Sequence, residues 1–233
     1  MTVAASDMSA PSAAAGSSVL ARATASHARA GFLLVLASLC LLLPVFFTLQ
    51  PMDRDEPRFA QATKQMLETG DFVAIRFQKE ARNKKPVGIY WLQAASVGLG
   101  KKLGVEDARR KIWLYRLPSL LAAIAAVLLT YWTALAFVSR GGAFLAALLL
   151  ASTVLIGVEA RLAKTDATVL ATVLAAMGAF ARIFLGQNGG SAWRLPAIFW
   201  TAIGVGLLVK GPMTPMIPLL AGFALYARDR AAP

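Results

Sequence analysis

Cysteine and histidine are nearly missing from this chain: Cys40 and His27 are the only ones among 233 residues. A single cysteine cannot close an internal disulfide, so no disulfide framework holds the fold. A lone histidine, set before the first apolar run, reads as a surface residue near the membrane and offers no His-based metal site. Acids are scarce as well, 12 Asp and Glu against 24 Lys and Arg, and charged residues together make up only 15%, where soluble domains carry about 25%. Apolar residues fill the gap at 58%, above the roughly 45–50% of soluble domains. A net charge of +12 in a soluble chain would suggest nucleic acid. Here the cations flank apolar runs, which points to membrane lipids and lipid phosphate and argues against nucleic acid.

The first thirty residues, rich in Ala, Ser and Thr, are expected to form a disordered cytoplasmic N-terminus (1–30), or at best a weak amphipathic lead-in. The apolar run Gly31 to Leu49 is about long enough to span a bilayer and reads as a retained helix rather than a cleavable signal. Further runs follow at 114–138, 143–158, 167–185, 195–209 and 213–227. The expectation is an all-α integral membrane protein with about six transmembrane helices across 31–233. Arg22, Arg29, Arg140, Arg182, Arg194, Arg228 and Arg230 all fall on one side if the N-terminus is cytoplasmic, as the positive-inside rule asks. Segment 51–113 then lies outside with thirteen Lys or Arg against eight Asp or Glu. The rule is weak for loops longer than about sixty residues, and binding of an anionic headgroup gives the excess a reason.

Ionisable residues beside a mostly apolar bundle tend to be functional, which makes the outer loop the place to look for chemistry. Pro57 suits a first helical position, with Asp55 or Glu56 as the cap. Phe59, Ala62 and Met66 recur on one helical face while Arg58, Gln61, Gln65 and Glu68 point elsewhere, and Gly70 is a natural stop. A second helix is expected from Val87 to about Gly100 after Pro86. It is too short to span, and Tyr90 and Trp91 near its start favour the headgroup level. Two interfacial helices are therefore expected in the loop.

Asp55-Glu56-Pro57-Arg58-Phe59-Ala60, then Met66 through Phe72, then Lys85-Pro86 followed by Tyr90-Trp91 resembles the first outer loop of membrane glycosyltransferases of the GT-C class. The likeness is to the lipid A aminoarabinose transferase and dolichyl-phosphate-mannose protein mannosyltransferase type. Arg116-Leu117-Pro118-Ser119, Arg161 with Asp166, and Lys210-Gly211-Pro212 are similar to later signatures in the same order, and the likeness covers about Leu34 to Leu220. It implies an enzyme of the bacterial inner membrane, multi-pass, that takes a sugar from a polyprenyl-phosphate-linked donor. The acceptor would be lipid A, another glycan or a protein at the outer face. No cofactor is implied.

By the same resemblance, Asp55 is the base or acceptor-orienting carboxylate, with Glu56 beside it and Asp166 as a further catalytic acid. Lys85 and Arg58 would hold the phosphate. Two departures stand out. Where the family often has Glu-Lys-Pro-Pro, this chain has Lys84-Lys85-Pro86-Val87, so the acid sometimes tied to a metal is a lysine and no metal is expected there. The family also has about twice as many spans and a soluble outer domain, which leads to the expectation that these 233 residues alone do not turn over.

Plainer readings exist for each residue. Asp55 and Glu56 could only cap a helix. Asp166 could cap, or pair with Lys164 or Arg161, and Lys210 could snorkel to the outer interface. Lys101, Lys102 and Arg109 to Lys111 read as a solvated, lipid-facing cluster. The rival class is a non-catalytic transporter or scaffold. Transporters hide polar residues at mid-bilayer and show internal repeats, neither of which is seen, and a scaffold has no use for the acid pair.

Overall fold

The computed structural model describes residues 17–82, 84–187 and 192–231. Most of the N-terminal lead-in lies outside the described residues, but a short helix α1 (Ser17–Ala23) is present within it. Helix α2 (His27–Leu42) starts at Ser26, whose hydroxyl accepts from the Arg29 N–H. It stops earlier than the apolar run suggests: Leu43 still has helical backbone, but Pro44 has no N–H to continue the hydrogen-bond ladder. Val45 takes a positive φ of 57°, and the chain turns through Thr48.

Helices α3 (Glu56–Thr69) and α4 (Gly88–Lys102) are the two expected outer-loop helices. Pro57 sits in the first turn of α3, Gly70 closes it at φ 74°, and Phe59, Ala62 and Met66 form its buried face. A two-stranded antiparallel hairpin interrupts the all-helical expectation: β1 (Arg76–Phe77) pairs with β2 (Glu80–Ala81). Gln65 of α3 creates it, donating to the Gln78 carbonyl at 3.0 Å and accepting from the Gln78 N–H at 2.7 Å.

The bundle proper comprises α5 (Ile112–Ala134), α6 (Arg140–Ser152), α7 (Val154–Glu159), α8 (Asp166–Phe184), α9 (Arg194–Lys210) and α10 (Met213–Ala231). The run expected as one span at 143–158 is split because Thr153 caps α7, accepting from the Ile156 N–H at 3.5 Å. Helical stretches occupy every expected place, but among the described residues α5 and α8 alone are long and apolar enough to cross a bilayer; α2 and α6 are apolar and shorter.

Helix α5 packs against α2, α6 and α8, and α8 packs against α9. The contacts are lined with alanine, including Ala30, Ala143 and Ala147 at one end and Ala123, Ala160 and Ala167 towards the other. Small residues let helix backbones approach closely, the packing membrane helices favour. Gly88 is required for that reason: a Cβ there would sit 2.6 Å from the Leu208 carbonyl oxygen, so glycine lets α4 lie against α9. His27 is drawn into this frame, its Nδ1 2.9 Å from the Tyr131 hydroxyl. Leu121, Leu149, Trp200 and Phe223 remain more than 60% exposed, an outward apolar surface suited to lipid.

Candidate functional site at one end of the bundle

Chain connections gather the charged residues at one end. Glu56, at the start of α3, points inward and is fully buried against Arg116 of α5. The Arg116 Nε donates to Glu56 Oε1 at 2.7 Å and its Nη2 to Oε2 at 3.0 Å. The remaining nitrogen, Nη1, donates to the carbonyls of Phe46 and Leu49 at 3.3 and 2.7 Å. An arginine in the apolar α5 sequence must find such partners, since a buried charge is tolerated only when paired and hydrogen-bonded.

Glu56 Oε1 also accepts from the Ala163 N–H at 3.0 Å, in the link between α7 and α8. The Ala163 carbonyl accepts from Gln93 Nε2 at 3.3 Å, and Gln93 in turn accepts from the Thr63 hydroxyl at 2.7 Å. Ser119 donates to the next carbonyl, that of Lys164, at 3.1 Å. Three helices thus hold the α7–α8 link in one conformation. Both carboxylate oxygens of Glu56 are hydrogen-bonded, Oε1 to Arg116 and Ala163 and Oε2 to Arg116, and the side chain is fully buried. Glu56, which the resemblance placed among the catalytic residues, is thus found buried with both oxygens hydrogen-bonded.

That fixed link presents Lys164 and Asp166. Lys164 pairs with Asp53, and Asp166, in the first turn of α8, pairs with Lys210 from the end of α9. Neither Arg161 nor Lys164 is the partner of Asp166. Arg161 instead donates to the Leu41 and Pro44 carbonyls at 2.7 and 3.0 Å, closing the end of α2. Lys210 does not simply snorkel.

Asp53 accepts the Asp55 N–H at 2.8 Å; that bond, then Lys164, holds its carboxyl below the usual carboxylate range. Burial opposes the charge on Lys164, yet the Asp53 carboxylate raises its pKa overall. Glu159, at the end of α7, is pushed up by burial and then by Asp166, against the pull of Lys164 and Lys210. Glu159 and Asp166 line one cavity of about 200 Å³.

Asp55 occupies the cap position of α3, but its side chain makes no capping bond. Its carboxylate is about half exposed and, among the described residues, meets only Arg58, at 3.5 Å. A carboxylate fixed through its own backbone, with free lone pairs facing out, can accept a proton from an incoming hydroxyl. Lys85 is half-buried just before α4 and has no ion-pair partner among the described residues. Asp55, Arg58 and Asp166 are therefore brought to the same end of the bundle, with Lys85 in the segment that leads into α4. Sequence reasoning missed the pairing of Glu56 with Arg116, the Asp53–Lys164 pair and the Asp166–Lys210 pair. The signal for the first was legible, since an arginine inside an apolar helix calls for an acid.

The site can be set beside known proteins. Residues 84–232 match the family model described as dolichyl-phosphate-mannose-protein mannosyltransferase. An uncharacterized protein of Aquifex aeolicus is 29% identical over 200 residues, covering 85% of this chain and 43% of that protein. The undecaprenyl phosphate-alpha-4-amino-4-deoxy-L-arabinose arabinosyl transferase of Aeromonas hydrophila is 30% identical over 193 residues, covering 79% and 34%. The crystal structure of ArnT from Cupriavidus metallidurans bound to undecaprenyl phosphate superposes with a TM-score of 0.71 at 21% identity, covering 85% of this chain and 36% of that one. Its apo state gives 0.70 at 20%. The chain thus spans about a third to two fifths of the length of these relatives. With the family model matched over well more than half of its residues, the chain belongs to the dolichyl-phosphate-mannose-protein mannosyltransferase family of membrane proteins.

Proposed function

We propose that this chain forms part of a membrane glycosyltransferase. It would move a sugar from a polyprenyl-phosphate carrier to lipid A, another glycan or a protein at the outer face of the inner membrane. The carrying observation is the contrast between the two neighbouring acids. Glu56 is buried and fully bonded, whereas Asp55 is held in place by its backbone and keeps a half-exposed carboxylate met by Arg58 at 3.5 Å. An acid aimed outward from a rigid frame is what the acceptor needs.

In the proposed reaction Asp55 takes the acceptor hydroxyl's proton as that oxygen attacks the anomeric carbon. The bond from that carbon to the carrier phosphate breaks, and the phosphate departs with the electron pair. Lys85 and Arg58 offset the growing charge on the phosphate. Asp166, held by Lys210, belongs to the same end and orients the acceptor. The likeness to a fold crystallised with undecaprenyl phosphate and to an arabinosyl transferase supports a polyprenyl-phosphate donor.

The test is Asp55→Asn in the full-length protein. A positioned general base contributes about a hundred- to ten-thousandfold, so transfer should fall by that order while the membrane level and Glu56-dependent stability stay unchanged. Transfer at the wild-type rate would remove Asp55 from the chemistry.

A further inference from the structure

The start of α3, the hairpin and the residues that follow it line a cavity of about 210 Å³ formed by Arg58, Phe77, Glu80, Ala81, Arg82 and Lys84. Three of the six are cations and one is an acid. Arg82 is the fixed member. Its backbone N–H donates to the Ile75 carbonyl at 2.8 Å, extending the hairpin ladder, and Gln65 clamps the hairpin turn to α3. Its guanidinium lies 5.2 Å from the centre of the Phe59 ring, and its Nε donates to the Tyr90 hydroxyl at 3.1 Å. Both aromatic rings are buried. The two terminal nitrogens, Nη1 and Nη2, have no hydrogen-bond partner among the described residues.

An arginine pinned by stacking and through Nε presents the other edge of its fork without losing further side-chain freedom on binding. That edge matches the paired oxygens of a phosphate or carboxylate. Arg58 links the cavity to Asp55, and Lys84 adjoins Lys85 in the chain.

We infer that this cavity is an oxyanion subsite of the donor pocket, with Arg82 as its fork and Arg58 and Lys84 as supporting charges. The inference rests on the proposed glycosyltransferase reading and deepens it. The oxyanion is either the carrier phosphate itself or an acidic group on the sugar. A free amino group on the sugar is disfavoured at this position, because it would face three cations. Lys84 thus adds positive charge where relatives with an acid at that place would not.

The experiment uses the full-length protein in nanodiscs and three probes: bare undecaprenyl phosphate, and the same carrier bearing a neutral hexose or a uronic acid. Arg82→Gln is expected to weaken binding about tenfold, the scale of one charge-assisted bond. Arg82→Lys should recover little of it, since the fork and not the charge is lost. Tyr90→Phe, which frees Nε while leaving the ring packed, should give a smaller loss at an unchanged unfolding midpoint. Weaker binding of all three probes identifies the carrier phosphate as the oxyanion, and weaker binding of the uronic acid donor alone identifies the sugar. Wild-type affinity of Arg82→Gln for every probe overturns the subsite, and if Lys85→Ala still weakens binding in that case, the parent reading survives. A wild-type protein that binds no polyprenyl phosphate overturns both.

Discussion

Arg116 grips Glu56 with two parallel hydrogen bonds at 2.7 and 3.0 Å, both side chains completely buried. Through Ala163, the same carboxylate sets the link that carries Lys164 and Asp166. Removing one partner of such a pair leaves a buried, uncompensated charge and costs about 3–5 kcal/mol. Glu56→Gln and Arg116→Met should each lower the unfolding midpoint and the amount of protein in the membrane. Replacing both by apolar residues of similar volume should recover much of the stability, but not transfer, because the Ala163 N–H loses its acceptor. If Glu56→Gln instead keeps wild-type stability and loses transfer alone, Glu56 is catalytic after all.

Lys85 bears on the carrier directly. Placed ahead of α4 with no ion partner among the described residues, it is available as a point charge for a phosphate. A hydrogen bond to a charged group contributes about 1.5–3 kcal/mol, so Lys85→Ala should weaken undecaprenyl phosphate binding roughly ten- to a hundredfold. Lys85→Arg should restore only part, since a planar fork does not fit where a compact ammonium does. Equal affinity of wild type and both variants, measured in nanodiscs, would take Lys85 out of the site.

How far these parts could be foreseen follows from the range of the interactions. Helix α3 was legible because its signals are local: Pro57 at the start, Gly70 at the end and Phe59, Ala62 and Met66 between them. Helix α4 was equally plain. The early end of α2 was signalled by Pro44, although the apolar run beyond it argued for a longer span. The split at Thr153 depends on a single hydroxyl within an otherwise continuous apolar run. The site itself is built from partners far apart in sequence: Glu56 with Arg116, Asp53 with Lys164, Asp166 with Lys210. Residue types suggest that such charges need partners, but only the fold decides which ones meet. Arg82 shows the same limit, since nothing local marks it until the hairpin brings it over Phe59.

Glu159 supplies a pH dependence. Burial first, and Asp166 second, raise its pKa above the ordinary 4.5, and Oε2 is buried without a hydrogen-bond partner among the described residues. Between 4.5 and the raised value the folded protein holds a proton that the unfolded chain has released. Stability therefore falls as pH rises through that window. Glu159→Gln removes this slope: its unfolding midpoint should exceed that of the wild type at neutral pH, with the gap closing as pH drops below 4.5. Asp53 acts in the opposite sense, its depressed value making its contribution present above 3.8 and lost only at lower pH, so the two effects separate on one titration. A gap that stays constant from pH 4 to 8 would show that Glu159 is not strained in the folded state.

The arginines bear on which end of the bundle faces out. Arg140 donates to the Ala25 carbonyl at 3.0 Å, and Arg182 stacks 4.0 Å from the Trp132 ring centre. The arginines used to infer the inner side thus lie where α2 begins and where α5 and α8 end. Asp53, Asp55, Lys164, Asp166 and Lys210 lie at the opposite ends of those helices. This separation is independent of hydropathy, and it agrees with the positive-inside argument. With the exposed Cys40 replaced by alanine, a cysteine at Lys79 in the exposed hairpin turn should react with an impermeant thiol reagent applied to intact spheroplasts. One at Gln187, just past α8, should react only after permeabilisation. The opposite labelling pattern would put Asp55 and Lys85 on the cytoplasmic face, away from an outer-leaflet donor, and the glycosyl-transfer proposal would fall with the topology.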